Sequence, residues 1–375
     1  MNSSLTGGRI TISLSTEQQL LTRVKAGDEN AFGRLVEPYR GELHAHCYRM
    51  LASVQDAEDA LQETLLRAWR GVGRFEGRSS LRSWLYTIAT NTSLNLIARR
   101  PKRVLPLDYG PASDPHDGPG QPIIESVWVD PYPDDQLGLE DVYAAPDARY
   151  ELRESVELAF IAALQHLPAN QRAALILREV LGFSAQEVAD ALETSVASVN
   201  SALQRARKTI DDKLPSQSQQ QTLRSLGDHR LEALVQRYMD AMQRGDVETV
   251  VGLLAEDAAW SMPPLASWYR GADLPEFLRI GPLSGLYRWR HVATHANGQP
   301  AVAAYTWHQD ENAYLPFALD VLTLKGGRIE QVTAFIARSP DVSDPKVFAT
   351  WPDAQPDAER VQTIFLRLGL PERLT

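Results

Sequence analysis

Two asparagines, Asn91 and Asn95, stand four residues apart in a segment whose apolar residues recur at helical spacing. Residues four apart share one helical face, so both amides can offer donors and acceptors to base edges. A small polar loop precedes this segment and consists of Gly77, Arg78, Ser79 and Ser80. Such a loop leaves room in which an unstacked base could be received.

Basic residues follow the asparagines along the chain, namely Arg99, Arg100, Lys102 and Arg103. Their charges suit phosphate groups, which contribute affinity that is sensitive to salt and independent of base sequence. Trp84 and Tyr86, between the loop and the asparagines, can serve either as core residues or as a stacking surface, and for Trp84 the core is the preferred interpretation.

A second candidate DNA-binding segment reads LGFSAQEVADALETSVASVNSALQRARKTI and predicts a helix, a short turn and another helix. Ser184 with Glu187 three residues later predicts a capping box, and Ala189 allows close helix packing. Val199 and Leu203 continue the buried stripe. The opposite face of the second helix carries Asn200, Ser201, Gln204, Arg205 and Lys208.

Four acidic residues precede the first DNA-binding candidate, namely Asp56, Glu58, Asp59 and Glu63. They predict an acidic patch on a helix with an apolar rear, suited to a basic partner surface. A solvated helix face is the alternative.

His44, His46 and Cys47 resemble a metal cluster in composition. Positions two apart on a helix point in different directions, so we expect packing roles, with no metal and no cofactor. Cys47 is the only cysteine, which excludes an intrachain disulfide and a cysteine-rich zinc site.

The composition is that of a globular protein, with 375 residues, 43% hydrophobic and 23% charged. This excludes a disordered or collagen-like chain and suggests two or three domains. No apolar run approaches the roughly 20 residues that cross a bilayer, and the start resembles no signal peptide. We expect a cytoplasmic protein that is neither secreted nor membrane-spanning.

The net charge of −10 is unevenly distributed. Residues 1–107 hold 15 Lys and Arg against 10 Asp and Glu, whereas residues 108–157 hold 2 against 13. A basic block followed by an acidic connector can attract a polyanion despite the acidic average.

The element pattern predicts a multidomain chain. Helical blocks at 15–107 and 148–214 flank an acidic linker at 108–147, which is rich in proline and glycine. As a flexible coil, this linker would span about 35–40 Å root-mean-square, so the flanking blocks could lie well apart. The remaining segments are a third domain at 225–340 and a tail at 341–375.

In the third domain the spacing of the apolar residues changes from helical to alternating. Helices are followed by the alternating segments WRHVATHAN, AVAAYTWHQ, LPFALDVLTL and RIEQVTAFIA. Asn297-Gly298 and Gly326-Gly327 carry hairpin chemistry. An α+β domain with one curved antiparallel sheet is predicted. Its candidate catalytic residues are His291, His308, Asp320 and Tyr305. Its candidate cavity or core aromatics are Trp260, Trp268, Tyr269, Trp289 and Trp307.

The first block resembles region two of bacterial extracytoplasmic-function sigma factors, and the helix-turn-helix resembles region four. DAEDALQETLLRAW resembles the helix that docks on the clamp helices of RNA polymerase. FEGRSSLRSWLYTIATNTSLNLIARR resembles the segment that melts and reads the minus-ten element. The resemblance covers about 200 of the 375 residues.

The resemblance implies three sets of contact residues. Core polymerase binding is implied for Asp56, Glu58, Asp59, Gln62, Glu63 and Leu66. Minus-ten binding is implied for Gly77, Arg78, Ser79, Ser80, Asn91, Asn95, Arg99 and Arg100. Minus-thirty-five binding is implied for Arg178, Asn200, Ser201, Gln204, Arg205 and Lys208. Family members often have arginine where Asn200 stands and an aromatic where Gln204 stands, and Asn and Gln suit adenine edges.

The C-terminal block resembles the SnoaL-like domain, a cone-shaped α+β fold that includes nuclear-transport-factor-like proteins and ketosteroid isomerase. The helix, the meander and KGGRIEQVTAF carry this resemblance. The connector WVDPYPDD resembles a divergent copy of the proline-containing linker motif of sigma factors with such an extension. These subgroups are thought to lack a separate anti-sigma factor, and the extension is thought to modulate the sigma factor.

We therefore expect a non-enzymatic sigma factor that binds promoter DNA and core RNA polymerase through its beta and beta-prime subunits. No membrane partner is expected, and the SnoaL-like domain can contact the sigma domains. The acidic linker, with Asp130, Asp134, Asp135 and Asp141, would compete with DNA for the basic block. One rival is a small-molecule sensor or enzyme whose working part is the C-terminal domain. Another is a simple helix-turn-helix repressor, which would leave Asp56 to Arg100 unexplained.

Overall fold

The computed structural model describes residues 14–120, 122–123, 127–137, 153–338 and 354–375. Its helices are α1 (Leu14–Lys25), α2 (Glu29–Val36), α3 (Arg40–Leu51), α4 (Val54–Gly71), α5 (Leu81–Ile97), α6 (Pro106–Tyr109), α7 (Leu158–Gln165), α8 (Ala169–Leu175), α9 (Ala185–Ala191), α10 (Val196–Asp211), α11 (Gln219–Leu226), α12 (Asp228–Arg244), α13 (Val247–Leu253), α14 (Leu274–Ile280) and α15 (Ala358–Ile364). Its strands are β1 (Leu254–Ser261), β2 (Trp268–Arg270), β3 (Trp289–Ala296), β4 (Gln299–His308), β5 (Ala313–Lys325) and β6 (Arg328–Ile336). None of the described helices is both long and apolar enough to cross a bilayer.

The chain forms two compact units, one from residues 1–102 and 135–214 and the other from 103–134 and 215–375. In the first unit, α3 is the central helix, because every residue from Leu43 to Leu51 is buried. It packs against α4 and α5. Ser53 and Ser80 begin these two helices, and each side chain accepts a hydrogen bond from a backbone amide of the first turn. The predicted helical block is confirmed.

The second half of this unit is a helix-turn-helix, as predicted. The capping box of Ser184 and Glu187 is formed at the start of α9, and Ser195 caps α10. Val199 and Leu203 are buried, so the opposite face of α10 points outward.

The two helical blocks pack directly against each other within this unit. Arg49 of α3 donates to Ser155 Oγ at 2.7 Å. Arg172 of α8 is buried and donates to the carbonyl oxygen of Met50 at the end of α3. Buried guanidinium groups that donate to carbonyl oxygens fix their partners in place. The separation that a flexible linker would allow is therefore not adopted in this structure, where the two blocks are in contact.

The linker differs from a flexible coil over residues 103–134, which belong to the second unit. Trp128, Val129 and Tyr132 are buried, since the apolar residues among the prolines pack into this unit. The side chain of Asn297 accepts from the Tyr132 amide at 2.8 Å, and the Asn297 amide donates back to the Tyr132 carbonyl at 2.9 Å. Part of the linker is thus a structural layer of the C-terminal unit.

The second unit contains a six-stranded sheet in the order β2-β1-β6-β5-β4-β3. The four strands predicted from alternation appear as β3 to β6, paired antiparallel in sequence. Both hairpin turns form with positive φ, at Asn297 and Gly298 and at Gly326 and Gly327. The prediction of a wholly antiparallel sheet is wrong in one respect, because β1 pairs parallel with β6. The α+β architecture is confirmed.

Helices cover one face of this sheet and the C-terminal segment covers part of the other. The apolar stripe of α12 packs with α14 and the strands around Tyr238, Trp260 and Phe277. On the other face, Tyr305 donates to the Pro371 carbonyl at 2.9 Å and packs edge-on against Phe365. The described part of the predicted tail, 354–375, is therefore integrated into the unit.

Candidate nucleic-acid interface and C-terminal cavity

The outward face of α4 carries the residues expected to contact a protein partner. Asp59, Gln62 and Leu66 are exposed, and Leu66 is 42% exposed, an unusual state for a large apolar side chain. Glu58 and Glu63 are half-buried. Carboxylates surrounding an exposed leucine suit a partner surface that is basic and partly apolar.

Asp56 was wrongly placed in this exposed patch. It is buried, and Arg100 at the end of the helical block donates a hydrogen bond to its Oδ1. This ion pair joins the first turn of α4 to the residues that follow α5. Arg100 is consequently engaged by a carboxylate in this structure, although its side chain is 38% exposed.

The other basic residues after α5 are in different situations. Arg99 is exposed. The Lys102 ammonium lies 2.9 Å from His166 Nδ1. Arg103 is buried and donates to the Trp128 carbonyl at 2.8 Å, so it holds the linker and does not face solvent.

The loop before α5 is open along its whole length, since Gly77, Arg78, Ser79 and Ser80 are all exposed. Gly77 has φ +75°, which side-chain-bearing residues rarely adopt. Arg78 pairs with Glu76 at 3.2 Å. The Ser80 side chain is used to cap α5 by accepting from the Ser83 amide at 3.0 Å. The Ser80 side chain is therefore committed to the start of α5, whereas the exposed Gly77, Arg78 and Ser79 do not cap this helix.

A groove between α4 and α5 lies beside Asn91, and the sequence analysis did not identify it. It is lined by Arg67, Gly71, Arg74, Trp84, Ile88 and Asn91. A side-chain carbon on Gly71 would lie 3.3 Å from the Trp84 ring, so this glycine permits close approach of the tryptophan. Trp84 is half-buried and packs on Phe75 with ring centroids 5.0 Å apart. Arg67 lies on α4, whereas Arg74 lies in the 3-10 turn Val72–Arg74 that follows it, so no single helical spacing marks this groove in the sequence.

Asn91 is half-buried at the groove and Asn95 is exposed one turn further along α5. Both asparagines therefore lie on the same side of the helix, as their spacing predicts. An amide beside two guanidinium groups can contact a base edge while the arginines contact flanking phosphates.

All five residues predicted on the outer face of α10 are exposed, namely Asn200, Ser201, Gln204, Arg205 and Lys208. Arg205 donates to Ser201 Oγ at 2.7 Å, which orients its guanidinium along the helix. A helix with an outward polar face, held by a preceding capped helix, has the geometry that enters a major groove.

Arg178 differs from the other residues predicted to contact the upstream element. It lies in a π-helical turn, Ile176–Val180, and donates to the carbonyl oxygen of Phe183. The side chain is half-buried and therefore stabilises the turn before α9.

The His44, His46 and Cys47 group is a set of packed core residues. All three are buried, and His46 Nε2 lies 2.9 Å from Thr90 Oγ1. Burial lowers the pKa of His46 to about 3. In the part of the chain that the structure describes, no three His, Cys, Asp or Glu side chains are arranged to hold a metal ion.

The C-terminal unit encloses a cavity in the concave side of its sheet. Of the four candidate catalytic residues, His291 and Asp320 line it, whereas Tyr305 and His308 lie elsewhere. Tyr305 donates to Pro371, and His308 Nε2 lies 3.0 Å from Gln355 Nε2. Of the predicted aromatics, Trp260 and Trp289 line the cavity, and Trp268, Tyr269 and Trp307 do not.

Tyr238 of α12 is a cavity-region residue that the sequence analysis missed. Its hydroxyl donates to Asp320 Oδ2 at 2.8 Å, and both residues are buried. Burial raises the pKa of Asp320 to about 7, against the effect of this hydrogen bond. The available signal was a tyrosine within the apolar stripe of α12, where a buried hydroxyl needs a partner.

Replacing Asp320 by asparagine should remove a pH dependence of stability. An unfolded aspartate titrates near 3.9, roughly three units below the pKa in the folded chain. From about pH 4 to about pH 7, the folded chain holds a proton that the unfolded chain lacks, so the free energy of unfolding falls as pH rises. The fall attributable to Asp320 is on the order of a few kcal/mol.

Urea unfolding at about pH 5 and about pH 7.5 measures this effect in the full chain and in Asp320→Asn. Buried histidines such as His46 titrate with the opposite sign and are common to both proteins. The difference between the two proteins therefore isolates Asp320. An equal fall in both would contradict the assignment.

Comparisons with known proteins agree with the order of these elements. The model of Sigma-70 region 2 matches residues 35–103, that of Sigma-70 region 4 matches 157–210, and that of the SnoaL-like domain matches 235–332. The ECF RNA polymerase sigma factor SigG of Mycobacterium tuberculosis (strain ATCC 25618 / H37Rv) is 44% identical over 308 residues, which cover 81% of this chain and 81% of SigG.

Two further relatives match over different lengths. The RNA polymerase sigma-H factor of Pseudomonas aeruginosa is 33% identical over 198 residues, covering 53% of this chain and 93% of that protein. The crystal structure of the extracytoplasmic function sigma factor SigJ of Mycobacterium tuberculosis is 24% identical with a TM-score of 0.47, covering 79% of this chain and 93% of that one.

Proposed function

The chain belongs to the extracytoplasmic-function family of RNA polymerase sigma factors, and on that premise we propose which of its surfaces carry out each step of initiation. It binds core RNA polymerase and directs promoter-specific initiation of transcription. The observation that carries this conclusion is the 44% identity over 81% of the chain, spanning the paired sigma regions. We place its action in the cytoplasm, where RNA polymerase works.

Helix α4 is the proposed docking surface for the beta-prime clamp helices of the polymerase, with the beta subunit as a further contact. Support comes from Leu66, Gln62 and Asp59, which are exposed on one face of a capped helix. Glu58 and Glu63 add negative charge at the rim of this face. Asp56 stabilises the helix start through Arg100 and contributes no direct contact.

The loop of Gly77, Arg78 and Ser79 with Asn91 and Asn95 is the proposed minus-ten site. The open loop supports the capture of an unstacked base, and the asparagines support contacts to base edges. Arg67 and Arg74 in the neighbouring groove join Arg99 as candidate phosphate contacts.

The outer face of α10 is the proposed minus-thirty-five site. Asn200 and Gln204 are suited to adenine edges, where arginine would favour guanine. Arg205 and Lys208 supply phosphate contacts that fix the helix in the groove without reading sequence. Arg178 supports this site indirectly by stabilising the turn before α9.

The C-terminal domain is proposed to modulate sigma activity in place of a separate anti-sigma factor, acting through the linker. Residues 103–134 connect directly to the sigma domains in sequence and pack within the C-terminal unit. Asp134 Oδ1 accepts from the Gly298 amide at 2.7 Å, beside the contact of Tyr132 with Asn297. Release or retention of this segment would change the freedom of the sigma domains.

The hydrogen bond of Asp134 with the Gly298 amide limits which linker carboxylates are available for the proposed competition between the acidic linker and DNA. Its carboxylate holds the β3–β4 hairpin in this structure, and Asp141 lies outside the described residues. The competition would therefore require the linker to leave the hairpin. Asp130 and Asp135 remain part of the proposal.

Weakening the linker contact should change transcript yield at least about threefold without changing core affinity. The variant Asn297→Gly combined with Asp134→Ala removes two acceptors, and glycine keeps the positive φ of the turn. Asn312→Gly is the matched control, because Asn312 has φ +46° in the next turn of the sheet. Equal yields from the wild type, the double variant and the control would contradict modulation through this contact.

We propose that the chain catalyses no reaction of its own. The rival proposal, a sensing or enzymatic C-terminal domain, is favoured by His291 and Asp320 lining one cavity. Turnover that is abolished in Asp320→Asn would support the enzymatic form of that rival. A simple repressor would bind duplex DNA without polymerase and would tolerate substitution of Leu66.

A further inference from the structure

Two short chain connections join the helical blocks to the C-terminal unit. Residues 98–102 separate the end of α5 from Arg103, which is buried in the C-terminal unit. Residues 212–218 separate the end of α10 from α11, which also belongs to that unit. Fully extended, the first connection spans at most about 18 Å and the second at most about 25 Å. The C-terminal unit therefore fixes where each connection ends.

The first connection is held through the linker. The Arg103 guanidinium donates to the Trp128 carbonyl at 2.8 Å. Further along the same segment, Tyr132 and Asp134 form hydrogen bonds with the β3–β4 turn, Asn297-Gly298. Tyr132 is fully buried there. The connection from the first helical block thus ends on this turn.

The second connection is held by two buried glutamines in the first turn of α11. Gln219 pairs with both backbone groups of Leu324 on β5, because its Nε2 donates to the carbonyl at 3.0 Å and its Oε1 accepts from the amide at 2.7 Å. Gln220 Nε2 donates to the Gly298 carbonyl at 2.6 Å. The two residues are 3% and 2% exposed, although glutamine is mostly a surface residue. Their amides therefore fasten the start of α11 to the sheet.

Both connections meet at the β3–β4 turn. The Gly298 amide donates to Asp134 of the linker, and the Gly298 carbonyl accepts from Gln220 of α11. Asn297 is buried beside them. A two-residue hairpin turn with positive φ at both positions has a defined backbone conformation. The two attachment points therefore keep a constant separation.

The separation that the two helical blocks can reach matters because the promoter elements lie far apart. Elements centred near minus ten and minus thirty-five are on the order of 80 Å apart along B-form DNA. In this structure the two blocks are in direct contact through Arg49 and Arg172. Reading both elements at once requires the blocks to move apart, and the short connections limit that movement.

We propose that the β3–β4 turn makes the C-terminal unit a spacer of fixed length between the two helical blocks, with Gln219 and Gln220 as positioning residues. This spacer determines which separation of the promoter elements the chain accepts. The inference rests on the proposed sigma function and extends it from the recognition of each element to the distance between them. Residues 135–157 also lead to the second block, but this connection is longer in sequence, so residues 212–218 set the limit.

Run-off transcription with core polymerase on two templates tests the proposal. One template is the DNA upstream of the chain's own coding sequence, and the other carries two extra base pairs midway between the elements, which add about 7 Å. For each protein, the yield on the longer template is divided by the yield on the unaltered template. A loss of stability lowers both yields and leaves this ratio unchanged, whereas a loss of positioning changes the ratio.

Combining Gln219→Leu with Gln220→Leu should raise the ratio at least about threefold, because the freed start of α11 lengthens the second connection. Leucine fills much of the same space and removes the hydrogen-bonding groups. Gln299→Leu is the matched control. Gln299 is equally buried and donates to the Leu322 carbonyl and Thr323 Oγ1 of β5, but it belongs to β4 and to neither connection. Its ratio should equal that of the wild type.

A second variant tests the same proposal if the double variant fails to fold, as judged by circular dichroism. It carries six Gly and Ser residues between Pro215 and Ser216, which add up to about 20 Å of reach and leave both glutamines in place. We expect the same rise in the ratio. The same insertion between Asp310 and Glu311, in the exposed β4–β5 turn, is its control and should leave the ratio unchanged.

Two results would overturn the spacer proposal while the sigma function stands. They are an unchanged ratio in both the double variant and the insertion at 215–216, and an equal rise in the controls. A wild type that yields no transcript on the unaltered template would instead contradict the sigma function, and this inference with it.

Discussion

The full chain carrying Leu66→Glu should bind core RNA polymerase about 100-fold more weakly than the wild type, a loss of about 2.7 kcal/mol. Leu66 lies on the outward face of α4 with 42% of its surface exposed. Burying a leucine side chain in an interface contributes about 1.5–3 kcal/mol, and a buried carboxylate adds a desolvation cost. Fluorescence anisotropy of labelled chain titrated with core polymerase measures the affinity.

Leu286→Glu is the matched control for this substitution. Leu286 is 52% exposed and belongs to the C-terminal unit, so the same change of residue type is made in the other unit of the chain. Its affinity for core should stay within about twofold of the wild type. Wild-type affinity in Leu66→Glu, or an equal loss in both variants, would remove α4 as the docking surface.

Arg172→Met should destabilise the sigma unit by about 3 kcal/mol or more. Arg172 is 4% exposed and donates to four acceptors: the carbonyl oxygens of Met50, Gln165 and Leu167 and the side-chain oxygen of Gln165. Methionine approximates its volume but donates nothing, so these oxygens would remain buried without partners. Urea unfolding, combined with amide hydrogen exchange in α3 and α8, localises the loss.

Arg207→Met makes the same substitution at an exposed position. The Arg207 side chain is 61% exposed and pairs with Glu179 at 2.5 Å. Surface ion pairs contribute little, so its effect should stay below about 1 kcal/mol. If Arg172→Met were as mild as this control, Arg172 would not be the residue that joins the two helical blocks.

The elements that the sequence predicts well are those specified by local chemistry. Ser184 and Glu187 form their capping box because both partners lie within one helical turn. Asn297-Gly298 forms its hairpin because both residues tolerate positive φ. The outer face of α10 is exposed because its opposite stripe, with Val199 and Leu203, is apolar.

The errors arise where a distant partner decides the outcome. Asp56 has the type and spacing of a surface acid, but Arg100, 44 residues away, buries it in an ion pair. Arg178 donates to the Phe183 carbonyl, a contact that its residue type does not indicate, and its minus-thirty-five role stays a prediction. β1 carries Glu256 and Asp257 within its length and pairs parallel with β6, so neither alternation nor a hairpin marks it.

The linker shows how composition can mislead. Its prolines correctly predict that it lacks long helices and strands over its described residues. Composition does not indicate where Trp128, Val129 and Tyr132 will be buried. Their burial depends on distant residues of the C-terminal unit. Asn297, for example, contacts Tyr132 and lies 165 residues after it in the chain. The same long-range packing creates the cavity, which is lined by His291 and Asp320 but not by Tyr305 or His308.

Run-off transcription with purified core polymerase on the DNA upstream of the chain's own coding sequence tests the central claim most directly. Core alone and core with Leu66→Glu serve as the references. The account predicts a discrete transcript that requires the full chain and is strongly reduced with Leu66→Glu. A transcript that core produces equally well without the chain, or no transcript together with no core binding, would contradict its function as a sigma factor.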